Sequence, residues 1–219
     1  MKIKYLGHSS FLLTTGDGTR IVTDPYEPGS YDGAVKYRPI KEEADVVLIS
    51  HGHPDHNYSA GVPGSFTVLD KPGENTVSGV NILGVPAFHD SSRGSERGEV
   101  VIFRIEADGL SVCHLGDLGH TLDGGTVDSL MPVDILLVPV GGFFTVGGEE
   151  IDAIIDALEP KLVIPMHFKT DGVDFPIAPV ENFLSGRKDV TWEGASEVDV
   201  SASALPEGVL VLNPANLPQ

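Results

Sequence analysis

Short apolar runs broken by glycine and polar residues fill the first seventy positions. Ile3–Leu6, Ser10–Thr15 and Arg20–Thr23 read as strands, with Gly16-Asp17-Gly18 as a hairpin turn between the second and third. The run Val46-Val47-Leu48-Ile49 is continuous rather than alternating, which predicts a strand covered on both faces. The same pattern recurs at Ile135–Val138 and Leu162–Ile164. Further strands are expected at Phe66–Leu69, Val80–Val85, Val100–Ile105, Leu110–Leu115 and Val209–Leu212. Helical periodicity is clearest over Glu149–Leu158, where Ile151, Ile154, Ile155 and Leu158 fall on one face. Glu149 and Glu150 suit its N-terminal end and Pro160 stops it. Shorter helices are expected at Val127–Met131 and Ala178–Leu184.

No repeat or low-complexity stretch divides the chain. Its 219 residues suit one domain over residues 1–212, with Asn213–Gln219 expected to fray as a tail. The net charge of −18 disfavours phosphate backbones and anionic lipid surfaces, so neither nucleic acid nor membrane is an expected partner. A lone cysteine, Cys113, excludes intramolecular disulfides and cysteine-rich zinc modules. No apolar run is long enough to span a bilayer, and the N-terminus lacks a signal-peptide core, so a soluble cytoplasmic protein is expected. Nothing in the sequence opposes a homo-oligomer.

The eight histidines are unevenly placed, and this carries the chemistry. Ser50-His51-Gly52-His53-Pro54-Asp55-His56 follows a predicted buried strand and offers four potential metal ligands. In an extended segment His51 and His53 point the same way and can share one ion. Asp55 and His56 diverge, so two neighbouring metals explain the spacing better than one. A metal-free histidine-rich loop is the bland alternative, and this density of ligand types disfavours it.

The run His51-x-His53-x-Asp55-His56 resembles the signature of the metallo-β-lactamase superfamily. The resemblance implies an α+β fold, a four-layer αββα sandwich, over essentially the whole chain. It also implies later ligands at strand ends, and His89, Asp117 and His167 stand at fitting places. By resemblance, His51, His53 and His89 would hold one metal, and Asp55, His56 and His167 the other. Asp117 would bridge them, leaving room for a hydroxide. Gly7-His8-Ser9-Ser10, Thr23-Asp24-Pro25, Gly116–His120 and Pro165–Phe168 are similar to the branch containing ascorbate-6-phosphate lactonase and N-acyl phosphatidylethanolamine phospholipase D. No amphipathic or basic membrane-docking segment supports the phospholipase activity.

The resemblance thus implies two divalent cations, zinc first and manganese second, and a hydroxide that cleaves an ester, lactone or phosphodiester of a small substrate. Asp55 and Asp117 are the candidate catalytic residues. Arg93, Arg97 and Lys169 are candidates to meet an anionic substrate, although ion pairs within their loops serve equally well for the arginines. His120 is a candidate for proton transfer near the substrate. His8 reads as a supporting residue more than a ligand, and His114 as an inward-facing core residue. Gly141-Gly142-Phe143-Phe144 either lines the pocket mouth or forms a packed turn. An amidohydrolase barrel is disfavoured because strand follows strand, and it leaves Asp55 and His56 idle. A non-catalytic binding module on the same fold is the other alternative, and the filled ligand set argues against it.

Overall fold

The computed structural model describes residues 1–219. Strands β1 (Lys2–Gly7), β2 (Ser10–Thr14) and β3 (Arg20–Thr23) form an antiparallel meander. Its second turn closes where Gly18, at φ 92°, donates its N–H to the Thr15 carbonyl at 3.0 Å. From β3 the pairing turns parallel, to β4 (Val46–Leu48) and then β5 (Thr67–Leu69). Strand β13 (Glu197–Asp199) completes this six-stranded sheet on the far side of β1.

The second sheet has eight strands. Five run parallel, in the order β12 (Val190–Trp192), β14 (Gly208–Val211), β11 (Leu162–Met166), β10 (Ile135–Pro139) and β9 (Leu110–His114). The antiparallel strands β8 (Glu99–Ala107), β7 (Val80–Phe88) and β6 (Gly73–Val77) extend it. The runs read as doubly covered behave so: every residue of β4, β10 and β11 is buried.

Alternation in the first sheet separates two cores. Ile21, Val46 and Leu48 join a 43-residue cluster shared with the second sheet. Val22 and Val47 point the other way, into a 12-residue cluster with Tyr26, Val35, Tyr37 and Ile177. Helices α2 (Gly124–Leu130), α3 (Glu149–Leu158) and α4 (Val180–Leu184) contribute Leu130, Ile151, Ile154, Leu158 and Val180 to the larger core. The Asp123 carboxylate caps α2 by accepting the Thr126 N–H at 2.8 Å. The outer face of the first sheet is covered mainly by loops, with only a left-handed single turn, α1 (Ser30–Gly33), and a 3-10 turn at Ser59–Gly61. The arrangement is an α+β sandwich of two mixed sheets.

Residues 213–219, expected to fray, are pinned instead. Ala215 and Asn216 donate their N–H groups to Tyr5 and Leu6, and the Asn216 amide donates to the Tyr26 hydroxyl at 2.9 Å. No helix is long and apolar enough to cross a membrane.

Candidate metal centre

All the histidine and aspartate candidates sit just beyond strand C-termini that point to one end of the sandwich. His51–His56 follow β4, His89 follows β7, Asp117 lies beyond β9 and His167 follows β11. The two sheets are stitched together here. The Val101 N–H donates to the Ser50 carbonyl at 2.8 Å, and the His167 N–H donates to the His8 carbonyl at 2.8 Å. Glycine makes the close approach feasible. A Cβ on Gly119 would lie 2.3 Å from the His89 carbonyl carbon, and one on Gly116, at φ 54°, would lie 2.6 Å from Ser50 Cβ.

Three overlapping groups of ligand atoms result: His51, His53 and His89; His51, His56 and Asp117; His8, Asp55, His56 and His167. The structure therefore brings together all seven residues singled out from the sequence, and adds His8. Asp117 Oδ2 is at their centre, 3.2 Å from His56 Nε2, 3.3 Å from His167 Nε2, 3.4 Å from His89 Nε2 and 4.0 Å from His51 Nε2. His51 Nε2 and His53 Nδ1 face each other at 2.9 Å. Burial, reinforced by the neighbouring His56, pushes the His51 imidazole down to about 3. Burial opposes ionisation of Asp117, yet His167 and His56 hold its carboxyl well below the usual range.

This donor set fits divalent cations. Asp55 Oδ1, His56 Nε2 and Asp117 Oδ1 are buried and lack hydrogen-bond partners, a condition interiors rarely tolerate unless a bound group takes them up. Imidazole and carboxylate without thiolate is the mixture that zinc and manganese accept.

The orienting residues were harder to see in the sequence. Asp24, wholly buried at the end of β3, accepts the Ser50 N–H and hydroxyl, each at 2.7 Å, and the His56 Nδ1–H at 3.0 Å. That last bond holds the proton of a neutral His56 on Nδ1, so that Nε2 is the nitrogen turned toward the cluster. Ser50 Oγ is also 2.9 Å from His51 Nδ1. The available signal was a carboxylate directly after a predicted strand. His8 holds Asp55: its Nε2–H donates to Oδ2 at 2.9 Å while Oδ1 stays free. Burial, helped by nearby His167, lowers the His8 pKa to about 4, so the ring is neutral. His8 and His167 both take left-handed backbone angles, φ 57° and 52°, and their rings lie 4.3 Å apart. His114 is buried as expected but is also tied to the site, since its Nδ1 accepts the Gly116 N–H at 3.2 Å and its Nε2–H reaches the Ser9 carbonyl at 2.9 Å.

The residues expected to meet substrate fare unevenly. His120 accepts the Phe88 N–H and donates to the Thr121 carbonyl, so both nitrogens are committed and neither serves proton transfer. Lys169 donates to the Phe175 carbonyl and to Asp174, which fixes a loop instead of presenting a free cation. Arg93 is exposed at a left-handed turn and forms no ion pair. The loop of Arg93 and Arg97 is pinned by Asp90, whose carboxylate accepts four backbone N–H groups from Ser92, Gly94, Glu96 and Arg97. Arg97 keeps a loose ion pair with Glu96 at 3.9 Å and rests over the Phe144 ring at 5.9 Å. Tyr31 and Phe175 also stand near the centre, and no motif marked them. A groove of about 770 Å³ between α3 and α4 contains none of the ligand candidates, and its Arg187 and Asp152 pair with each other.

Known proteins agree with this geometry. Residues 2–167 match the model of the Beta-lactamase superfamily domain. The chain is 34% identical over 195 residues to a UPF0173 metal-dependent hydrolase of Thermococcus onnurineus, covering 78% of this chain and 85% of that one. The corresponding protein of Thermococcus kodakarensis is 33% identical over 195 residues, with the same coverage. A Thermotoga maritima structure described as a zinc-dependent hydrolase of the metallo-β-lactamase superfamily superposes with TM-score 0.80 and 38% identity, covering 96% of this chain and 97% of that one. A Parabacteroides distasonis structure at 20% identity and TM-score 0.63 shares the fold. The chain belongs to the metallo-β-lactamase superfamily, as a metal-dependent hydrolase.

Proposed function

We propose that this protein hydrolyses an ester, lactone or phosphodiester bond of a small substrate at a pair of divalent cations, zinc or manganese. The observation that carries this reading is Asp117 Oδ2 standing within 4.0 Å of four imidazoles drawn from both sheets. A single carboxylate oxygen so placed suits a bridge between two ions. His51, His53 and His89 would hold one ion, and Asp55, His56 and His167 the other. Such a pair supplies an acidified water and polarises the bond it attacks.

The chain's own residues do the rest. Asp24 sets the His56 tautomer, and His8 fixes one oxygen of Asp55 so that the other faces the site. Asp55 orients the attacking water, a role its unpartnered Oδ1 supports. The Gly116–Gly119 loop, held by His114 and by the Gly119 N–H bond to the Phe88 carbonyl at 2.9 Å, positions Asp117 without a flexible linker. Five of the seven ligands are buried and His51 and His53 partly so, which strengthens each electrostatic contact they make.

A hydrolysis screen of protein loaded with zinc or manganese tests the reading. It should span lactones, carboxylic esters, thioesters, phosphodiesters and β-lactams, with Asp55→Asn alongside. The expected result is turnover confined to one or two classes and a loss of about 100-fold or more in Asp55→Asn. Absence of turnover on every class by protein shown to carry two ions would overturn it and favour a binding module.

A further inference from the structure

Above the metal centre, aromatic side chains form a continuous chain outward. Phe175 starts it, its ring 5.8 Å from that of His8. Tyr31 meets Phe175 edge to face at 5.4 Å, and Phe144 meets it at 5.9 Å. Phe143 packs edge to face on Phe144 at 4.7 Å and is 66% exposed. Arg97 then closes the circuit from the opposite loop, its guanidinium over Phe144. Four separate segments thus meet at one mouth: residues 30–33, 91–97, 142–144 and 174–176.

Three features mark this mouth as built for a ligand. Tyr31 and Phe143 are both held at left-handed backbone angles, φ 52° and 60°, which bulky side chains adopt only under constraint. Both rings are then left exposed, at 46% and 66%. Arg97 is relieved of any duty in holding its loop, because Asp90 does that through backbone N–H groups. Its charge therefore stands at the rim, in a chain whose net charge is −18, with only a loose and exposed partner in Glu96.

We infer that this mouth selects substrates with a flat, apolar acyl arm, an aryl group above all, whose ring stacks among Tyr31, Phe144 and Phe175 while Arg97 takes an anionic group at its outer end. The inference rests on the hydrolase reading for the fate of the scissile bond, but not for the binding. Aromatic faces favour offset or edge-on contact with another ring over contact with a methyl group. A guanidinium stacked on Phe144 keeps its N–H edge free for a carboxylate or phosphate.

The test is calorimetric titration of the metal-loaded protein with acetate, phenylacetate and 4-carboxyphenylacetate, the acids such a reaction would release. Phenylacetate should bind about tenfold more tightly than acetate. Tyr31→Ala should abolish that preference while metal content and acetate affinity stay unchanged. Arg97→Ala should remove only the added affinity of the para-carboxylate. Tyr31 is exposed and the Arg97 backbone is pinned by Asp90, so neither variant threatens the fold. If phenylacetate binds with this dependence and the metal-loaded protein cleaves no class in the hydrolysis screen, phenylacetate esters included, the mouth stands and the catalytic reading falls. If acetate and phenylacetate bind equally, or their esters are cleaved with equal kcat/KM, the mouth is overturned while hydrolysis stands.

Discussion

Asp24→Asn separates the orientation of a ligand from its presence. The substitution keeps the shape of a wholly buried side chain. Its amide oxygen can still accept the Ser50 N–H now bonded at 2.7 Å, and Ser50 Oγ can accept from the new NH₂ while still accepting the His51 Nδ1–H. Ser50 loses the acceptor for its own proton, and among the ligands only His56 is left in conflict. Its Nδ1–H, 3.0 Å from the carboxylate in the wild type, would confront an N–H donor. The ring escapes by moving its proton to Nε2, where Asp117 Oδ2 lies 3.2 Å away and accepts it. A protonated Nε2 cannot bind a cation. The cost at the His56 position is then the loss typical of an orienting partner, about 10–100-fold in metal affinity, or roughly 1.4–2.7 kcal/mol. The fold itself should lose no more than about 1–3 kcal/mol, the price of one poorly satisfied buried donor. Competition against a chromophoric chelator reads the first quantity, and thermal unfolding of the chelated protein reads the second. Wild-type affinity for both ions in a cooperatively folded Asp24→Asn protein would refute the tautomer argument.

Two further outcomes follow from the same geometry. Chelation should lower Tm, and restoring metal should raise it in proportion to the logarithm of its free concentration, since ligands from both sheets meet only in the folded state; calorimetric scans across a metal series check this. Against some desolvation, four backbone N–H groups hold the Asp90 carboxyl below its ordinary value, so its contribution is complete above about pH 4 and is lost as pH falls through the folded value. Asp90→Asn should therefore flatten the acid limb of a stability-versus-pH curve, measured by denaturant midpoints, and an unchanged limb would show that the cap contributes nothing.

The strands that carry the site were legible because they are covered on both faces, and continuous apolar runs have few other readings. Val46–Leu48, Ile135–Pro139 and Leu162–Met166 announce themselves in this way. Edge strands do not. Gly73–Val77, Val190–Trp192 and Glu197–Asp199 are largely exposed, mix charge with small residues, and are strands only because a neighbour supplies hydrogen bonds. The ligands were legible for a related reason, since histidine and aspartate directly after buried strands have little structural excuse. Their partners were not. Asp24, His120 and Lys169 act through bonds to residues 26 to 32, 32 and 6 positions away, and spacing alone does not reveal which way such side chains turn. Tyr31 and Phe175 meet only because two loops cross, which no local pattern encodes. The pinned C-terminus was hidden likewise, because Asn216 finds Tyr26 across 190 residues of chain.

The order of the strands gives the two halves of the centre unequal histories. The ligands His51, His53 and His89 are all synthesised by residue 89, whereas the other half waits for His167, after four more strands of the second sheet have emerged. Asp117 comes between them. A chain leaving the ribosome therefore carries one three-histidine set well before it carries the last ligand of the other. Each set draws on both sheets, so neither closes until the sheets have packed, and the complete donor set has to wait for β11.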